Sequence, residues 1–262
     1  MAKVFAIANQ KGGVGKTTSC VNLAASLVAS QQRVLLIDLD PQGNATTGSG
    51  VDKLALEQSV YDVLVGHCEP AQAMQRSEHG GYDLLPANRD LTAAEVTLLD
   101  LPNKEQRLRQ ALAPIRGDYE FILIDCPPAL SMLTINALVA ADGVIIPMQC
   151  EYYALEGLSD LVNSIQRIGG LLNPQLKIEG ILRTMYDGRI GLTNEVTAQL
   201  REHFGEALYD TTIPRNVRLA EAPSHGMPVL VYDKSSRGAK AYQALAGEVL
   251  ARQRERTRRT PA

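Results

Sequence analysis

A glycine-rich loop between an apolar run and a helical pattern constrains this chain more than any other feature. Residues 9–18 read Asn-Gln-Lys-Gly-Gly-Val-Gly-Lys-Thr-Thr and directly follow the apolar segment Val4–Ala8. A loop that ends a strand and opens a helix turns backbone N–H groups toward a phosphate, with the positive end of the helix dipole behind them. The sequence therefore predicts a strand–loop–helix unit that binds a phosphorylated ligand.

The loop contains one lysine more than a phosphate site needs. Lys16 is expected to reach the β- and γ-phosphates, and the Thr17 hydroxyl to ligate Mg²⁺. The strict pattern G-x-x-x-x-G-K-[ST] fails at its first position, which is Gln10, and Lys11 stands beside it. One triphosphate rarely needs two lysines from one loop, so Lys11 is predicted to have a second function. The predicted nucleotide contacts in this loop are Lys11, Gly12, Gly13, Val14, Gly15, Lys16, Thr17 and Thr18.

Apolar runs alternate with helical patterns along the chain, and this alternation predicts the fold class. The runs are continuous, as expected for parallel strands covered by helices on both faces. We therefore predict an α/β fold, a doubly wound and mostly parallel sheet. Strands are expected at Val4–Ala8, Val34–Leu39, Phe121–Asp125, Gly143–Pro147, Ile178–Leu182 and Leu208–Ile213. Helices are expected at Thr17–Ser30, Lys104–Ile115, Ser131–Ala140, Leu155–Gly169, Leu192–Phe204 and Gly238–Leu250.

The chain of 262 residues, 45% of them hydrophobic, is long enough for one large α/β domain. We predict one domain over residues 1–250 and a flexible basic tail over residues 251–262. Residues 41–60, rich in Gly, Ser and Thr, are expected to form a mobile loop. The segment Glu78–Pro86 contains two adjacent glycines and is expected to form a small hairpin.

Charge and cysteine content exclude several classes of protein. The net charge of −3 means that any contact with nucleic acid must come from a local basic patch. The four cysteines are scattered without a CxxC pair, which argues against a zinc site or a disulfide framework and suits a reducing cytosol. No signal peptide and no apolar window of membrane-spanning length is evident. A cytoplasmic protein is therefore expected.

Three aspartates follow predicted strands at the end of the sheet where ligands bind in open α/β folds. Asp38 and Asp40 end one strand, and alternation along the strand puts them on the same side. Asp125 ends another strand and is placed to hold Mg²⁺ as Walker-B carboxylates do. Any one of these aspartates could instead cap a helix or form a turn. Three of them beside such a loop favour a site, with Thr17, Asp38 and Asp125 as the expected metal ligands.

These motifs together resemble the ParA/MinD family of deviant Walker A ATPases. The resemblance rests on Lys11-Gly-Gly-Val-Gly-Lys-Thr-Thr, on Asp38-Leu-Asp-Pro-Gln-Gly-Asn and on Asp125-Cys-Pro-Pro. Residues 183–189 (Arg-Thr-Met-Tyr-Asp-Gly-Arg) and 213–224 (Ile-Pro-Arg-Asn-Val-Arg-Leu-Ala-Glu-Ala-Pro-Ser) resemble the chromosomal ParA (Soj) branch. The similarity covers about residues 2–250, and it implies a P-loop NTPase fold.

The resemblance implies an ATPase that uses ATP and Mg²⁺ and works as a dimer. The family's equivalent of Lys11 reaches across the dimer interface to the partner's ATP, as an arginine finger does. Asp40 is implied to position or activate the attacking water, while Lys16 serves the subunit's own ATP. Pro214 and Asn216 are implied to lie near the nucleotide base.

The same resemblance implies a function in chromosome or plasmid partition. Arg189 and Arg218 match arginines that bind DNA phosphates, so the ATP-bound homodimer is expected to bind double-stranded DNA without sequence preference. Hydrolysis is implied to be slow alone, to be stimulated by a ParB-type centromere-binding protein, and to release the DNA. The expected location is the cytoplasm, on the nucleoid.

Three alternatives remain open from the residues. A MinD-like protein would bind a membrane, but residues after Leu250 lack the apolar face that membrane binding requires, so no membrane partner is expected. A relative of the family could instead position another cargo with the same ATP-bound dimer. The nitrogenase iron protein shares the loop and holds a cluster with cysteines, but Cys126 and Cys150 follow apolar strands and are interpreted as structural.

Overall fold

One sheet of eight strands organises the protein, for which a computed structural model describes residues 2–152 and 154–259. The strand order is β3-β4-β2-β5-β1-β6-β7-β8, and all neighbouring pairs are parallel except β3 and β4. The strands are β1 (Lys3–Ile7), β2 (Val34–Asp38), β3 (Gln75–Arg76), β4 (Asp83–Leu85), β5 (Phe121–Asp125), β6 (Gly143–Gln149), β7 (Lys177–Tyr186) and β8 (Leu208–Pro214). This arrangement confirms the predicted mostly parallel sheet.

Helices cover both faces of this sheet. Their bounds are α1 (Lys16–Ala29), α2 (Asn44–Gly48), α3 (Val60–Val65), α4 (Pro70–Ala73), α5 (Leu91–Thr97), α6 (Arg107–Leu112), α7 (Met132–Ala140), α8 (Ala154–Leu172), α9 (Gly191–Phe204), α10 (Val217–Glu221), α11 (Val229–Tyr232) and α12 (Arg237–Arg259). Short 3₁₀ turns connect several of them.

Alternating side chains of each strand enter two separate apolar cores. In β1, Val4 and Ala6 pack with the helices α3 and α5 to α9, whereas Phe5 and Ile7 pack with α1 and α12. Successive strand residues point to opposite faces, so a strand buried on both sides needs apolar residues at every position. This explains why the strands read as continuous apolar runs, and it confirms the predicted doubly wound fold.

The predicted strands are all present, and β7 is longer than expected. It continues past Leu182 to Tyr186 because its polar residues are buried with partners. The Arg183 guanidinium donates to the Tyr209 and Asp210 carbonyls, and Thr184 is also buried. The predicted hairpin near Glu78–Pro86 is formed by β3 and β4, which pair antiparallel.

Residues 41–60 are not the continuous loop that their composition predicts. Helix α2 lies within them, and Ser59 caps α3 by accepting a hydrogen bond from the Tyr61 amide while Asp62 accepts one from the Ser59 amide. The spacing Ser-x-x-Asp is a capping signal that could have predicted this helix start. The expected helix at Lys104–Ile115 is also different, since a 3₁₀ turn precedes α6, which ends at Leu112.

Helix α12 continues to Arg259, nine residues beyond the predicted end at Leu250, so residues 251–259 of the predicted flexible tail are helical. The cause is the carboxylate of Glu179 in β7, which is fully buried. Gln253 donates to it at 2.7 Å and Arg256 pairs with it. A buried charge is costly unless it is paired, and these α12 residues supply the partners. Residues 260–262 lie outside the described residues.

Removing Arg256 should destabilise the whole fold rather than only the end of α12. Arg256→Ala leaves the Glu179 carboxylate buried without its cation, and we expect the free energy of unfolding to fall by about 2 kcal/mol or more in urea titrations. Arg254→Ala, an exposed neighbour on the same helix, is the control and should change it by less than about 0.5 kcal/mol. If both variants changed the free energy of unfolding by the same small amount, residues 251–259 would act as a flexible tail.

Candidate functional site

The glycine-rich loop connects β1 to α1 and adopts a conformation that only glycine tolerates well. Gly13 and Gly15 have φ values of 74° and 88°, in the left-handed region that side chains avoid. Gly15 is the residue that precedes the first turn of α1, which begins at Lys16. The loop backbone therefore enters the helix with its free N–H groups at the helix N-terminus, the geometry that binds phosphate.

Three residues that the motif does not contain hold the loop in place. The Asn9 side chain accepts from the Lys11 amide at 2.9 Å and donates to the Pro147 carbonyl at 2.8 Å. Gln149 donates to the Gly13 carbonyl at 3.1 Å, and the Thr184 hydroxyl lies 2.8 Å from the Val14 carbonyl. Thr184 belongs to the quoted motif of residues 183–189, but no motif indicates Gln149, although both residues lie at the carboxyl ends of β6 and β7, where ligand-site residues are expected.

The two lysines of the loop point in different directions. Lys16 is buried, and its Nζ lies 3.1 Å from the Lys11 carbonyl, within the curve of the loop. Burial lowers the pKa of Lys16, while the Asp125 carboxylate acts against this. The Lys11 ammonium instead points away and forms an ion pair with Glu151 at 2.5 Å, with about half of each side chain exposed. The Lys16 ammonium thus lies against the loop backbone, and the Lys11 ammonium faces solvent.

Asp125 lies at the centre of the carboxyl end of the sheet, in register with Asp38 of β2 on one side and Ile7 of β1 on the other. Its carboxylate is fully buried, and the geometry of neither oxygen meets that of a hydrogen bond with a described residue, although the Thr17 hydroxyl lies nearby. Burial and then the Asp38 carboxylate raise the pKa of Asp125 well above its usual range. Unpaired buried oxygens of this kind fit a cation ligand.

Asp38 is also fully buried, but its carboxylate is occupied by the protein itself. The Thr46 amide and hydroxyl both donate to Oδ2 at 2.7 Å, and the Asp40 amide donates to Oδ1 at 3.2 Å. Burial raises the pKa of Asp38 to about 6, although these hydrogen bonds oppose the change. The metal role expected for Asp38 would have to compete with these hydrogen bonds, which use both lone pairs of Oδ2 and one of Oδ1. No motif in the sequence indicates Thr46.

Asp40, in contrast, is only partly buried and lies in the turn after β2. Its carboxylate oxygen Oδ1 accepts from the Gln42 amide at 2.9 Å, and its carbonyl accepts from the Gly43 amide at 2.8 Å. The carboxylate can therefore also reach solvent. The sequence predicts Asp38 and Asp40 on the same side of the strand end. In the structure the Asp38 carboxylate is buried, whereas the Asp40 carboxylate is accessible to solvent.

A cavity of about 480 Å³ adjoins the loop and contains both residues predicted near a nucleotide base. Pro214 and Asn216 line it together with Gly15 and Thr18. The Asn216 Oδ1 is buried and has no hydrogen-bond partner within the part of the chain that the structure describes. The cavity thus offers an apolar slot next to the loop, which fits a flat ring.

The two predicted DNA-binding arginines follow adjacent parallel strands. Tyr186 at the end of β7 is in register with Pro214 at the end of β8, so Arg189 and Arg218 emerge at the same edge of the sheet. Arg189 is 90% exposed and pairs with Asp187 at 2.6 Å. Arg218 is half exposed and pairs with Glu221 at 2.7 Å. Both guanidinium groups are accessible to a large anionic ligand.

The cysteines considered for a redox centre are inert thiols in this fold. Cys126 is buried, and burial followed by the Asp125 carboxylate raises its pKa well above the usual range. Burial also raises the pKa of Cys150, which lies near the Thr197 hydroxyl. A thiol must lose its proton to ligate a metal well, so these two environments suit structural cysteines.

No helix within residues 2–152 and 154–259 is both long enough and apolar enough to cross a membrane.

The fold and the loop define the class: this is a P-loop nucleotide-binding protein of the doubly wound α/β type. The AAA domain family matches residues 2–178. The sporulation initiation inhibitor protein Soj of Bacillus subtilis is 51% identical over 96% of this chain and 99% of its own length. The chromosome partitioning protein ParA of Caulobacter vibrioides is 50% identical over 97% of this chain and 96% of its own. The chain belongs to the ParA/MinD family of deviant Walker A ATPases, in the chromosomal ParA (Soj) branch.

A solved structure agrees with this assignment of fold. It is described as cobyrinic acid a,c-diamide synthase from Mycobacterium smegmatis with bound ADP and magnesium. It has a TM-score of 0.85 and 39% identity, and the match covers 97% of this chain and 96% of that chain.

Proposed function

We propose that this chain is an ATP-dependent DNA-partitioning ATPase. Two copies enclose two ATP molecules, the dimer binds DNA without sequence preference on the nucleoid, and hydrolysis releases it. A ParB-type protein stimulates the hydrolysis. Partition is preferred to the synthase activity named for the Mycobacterium smegmatis protein, because the Caulobacter vibrioides relative named for chromosome partitioning is more similar, at 50% identity against 39%.

The observation that carries the proposal is that the two lysines of one loop point in different directions. Lys16 is turned inward and Lys11 outward, toward Glu151 and solvent. An outward lysine beside a phosphate loop can neutralise a triphosphate only on another subunit. A cation delivered in this way stabilises the charge that spreads over the transferred phosphoryl group, and it makes dimerisation depend on a bound triphosphate.

The residues present fit ATP and Mg²⁺. Thr17 and Asp125 would hold the metal, since Thr17 adjoins the loop and Asp125 has two buried oxygens without a partner among the described residues. Bound Mg²⁺ supplies positive charge that neutralises the phosphate oxygens. The cavity that Pro214 and Asn216 line would hold adenine. Asp40 would position the water that attacks the phosphate.

DNA binding follows from the position of Arg189 and Arg218 at one edge of the sheet. Their ion pairs with Asp187 and Glu221 are exposed, and exposed pairs contribute little, so phosphates can replace the carboxylates. A dimer doubles the number of such contacts. DNA affinity should therefore depend on ATP and fall steeply with salt, as counterion release requires.

Binding to a long duplex, measured with ATP, with ADP and without nucleotide over a salt series, tests the proposal. We expect tight binding only with ATP, with a steep decline in affinity between about 50 and 200 mM salt. Arg218→Ala should weaken binding to all DNA sequences alike. It should also reduce the slope of log affinity against log salt by about one for each phosphate that the variant no longer binds.

Arg109→Ala is the matched control, because Arg109 is an exposed arginine that lines a cavity with Asp142 at the opposite end of the sheet. Its variant should bind DNA as the unchanged protein does. Equal binding in all three nucleotide states would contradict the proposal. An Arg218→Ala effect confined to one DNA sequence would instead mean that the protein reads bases.

A further inference from the structure

We infer that Asp38 and Thr46 form a positioning pair that fixes the Asp40 turn, and that Asp38 is not a ligand of the metal. The inference rests on the ATPase activity proposed above. It names a second residue, Thr46, on which turnover depends although its hydroxyl contacts Asp38 and the Ala87 amide.

The first observation is the complete enclosure of this pair. Asp38 and Thr46 are both 0% exposed, and Thr46 makes two hydrogen bonds of 2.7 Å to a single carboxylate oxygen. A buried carboxylate needs compensating donors, and charge-assisted hydrogen bonds are the strong ones. These two contacts therefore fix the orientation of the Asp38 carboxylate.

The second observation is that the other oxygen of Asp38 contacts the backbone of Asp40. The Asp40 amide donates to Asp38 Oδ1 at 3.2 Å, at the point where β2 ends and the turn begins. The Thr46 contacts and the Asp40 contact thus lie on opposite oxygens of one rigid group. A shift of the Asp38 carboxylate would move the peptide that carries the Asp40 side chain.

The third observation is that the segment packs closely against one residue, Ala87, at Thr46 and at Gly43. The Ala87 amide donates to the Thr46 hydroxyl at 2.9 Å, so this hydroxyl both donates and accepts. In the middle of the segment, Gly43 has a φ of 61°, and a Cβ there would lie 2.7 Å from the Ala87 carbonyl, so the two backbones approach closely. The segment from Asp40 to Thr46 is therefore held against the loop after β4, and Thr46 is the side chain that completes the contact.

Threonine variants at two adjacent positions test the inference. Thr46→Val keeps the shape but removes the hydroxyl, and we expect kcat to fall about tenfold or more while ATP affinity stays within about twofold. Thr46→Ser restores the hydroxyl and should recover most of kcat. Thr47→Val is the matched control, because the Thr47 hydroxyl donates to the Gly43 carbonyl on the same short helix and does not contact Asp38.

Asp38→Asn separates the positioning role from metal binding and does not depend on whether Thr46→Val folds. We expect kcat to fall while the Mg²⁺ concentration for half-maximal ATP binding stays within about twofold. A rise of about tenfold in that concentration would make Asp38 a metal ligand and overturn the inference. Unchanged kcat in both Thr46→Val and Asp38→Asn would overturn it as well. Absence of turnover in the unchanged protein would instead refute the proposed ATPase, so the two failures are distinguishable.

Discussion

Lys11→Ala should abolish ATP-dependent dimerisation and reduce ATP turnover by about a hundredfold or more, while the folded monomer still binds ATP through Lys16. The physical reason is that a cation supplied to a developing phosphoryl charge from outside its own loop is worth several orders of magnitude in rate. The fold should not suffer, because the Lys11 ammonium forms an exposed ion pair with Glu151, and such pairs contribute about 1 kcal/mol or less.

Light scattering with ATP, with ADP and without nucleotide measures the dimer, and phosphate release measures turnover. Two further variants separate the explanations. Lys3→Ala removes an exposed lysine at the amino end of β1, far along the strand from the loop, and should dimerise normally. Glu151→Gln removes the ion pair but keeps Lys11, so its dimer should persist. A Lys11→Ala protein that still dimerises and turns over ATP normally would show that Lys11 is an ordinary surface lysine.

The sequence predicts the nucleotide loop and the strand-end acids well because their signals are local. The loop, Asp125 and Asp40 each lie next to a strong apolar run, and parallel strands bring their carboxyl ends together. In the sheet, Asp125 is in register with Asp38 of β2 and with Ile7 of β1, as that rule predicts.

The sequence does not predict partners that come from elsewhere in the chain. Glu151 lies 140 residues from Lys11, and Gln253 lies 74 residues from Glu179. Nothing in the Arg-rich segment after Leu250 indicates that Arg256 compensates a buried carboxylate, so the polarity of that segment predicts a flexible tail. Thr46 escapes prediction for a related reason: α2 has five residues, too few for a periodic pattern.

These differences follow a physical rule. Periodicity and turn residues indicate which local backbone structure a segment favours. Whether a charged side chain can be buried depends instead on a second residue that pairs with it. The roles of Asp38 and Asp125 show the consequence. Both are buried acids at neighbouring strand ends. Thr46 bonds to one, and no described residue bonds to the other, and this difference separates a positioning role from a metal role.

Asp40→Ala should stop turnover while leaving a dimer that stays on DNA with its bound ATP unhydrolysed. A carboxylate that positions or activates water contributes about 10²–10⁴ in rate, so kcat should fall by at least about a hundredfold. Nothing that binds phosphate or the metal is removed, because Lys16 and Asp125 remain in place. The effect should therefore appear in single-turnover phosphate release and not in ATP affinity, and DNA complexes formed with ATP should persist after free ATP is removed.

The alternative role of Asp40 is that of a turn former, since its carboxylate accepts from the Gln42 amide at 2.9 Å. Asp40→Asn tests this directly, because an asparagine oxygen can accept the same hydrogen bond but cannot act as a base. We expect Asp40→Asn to be as slow as Asp40→Ala and equally tight on DNA. Recovery of turnover in Asp40→Asn would assign Asp40 to the turn alone. The water would then have to be held by another group, and the link from Thr46 through Asp38 to Asp40 would concern the shape of the loop rather than the rate of hydrolysis.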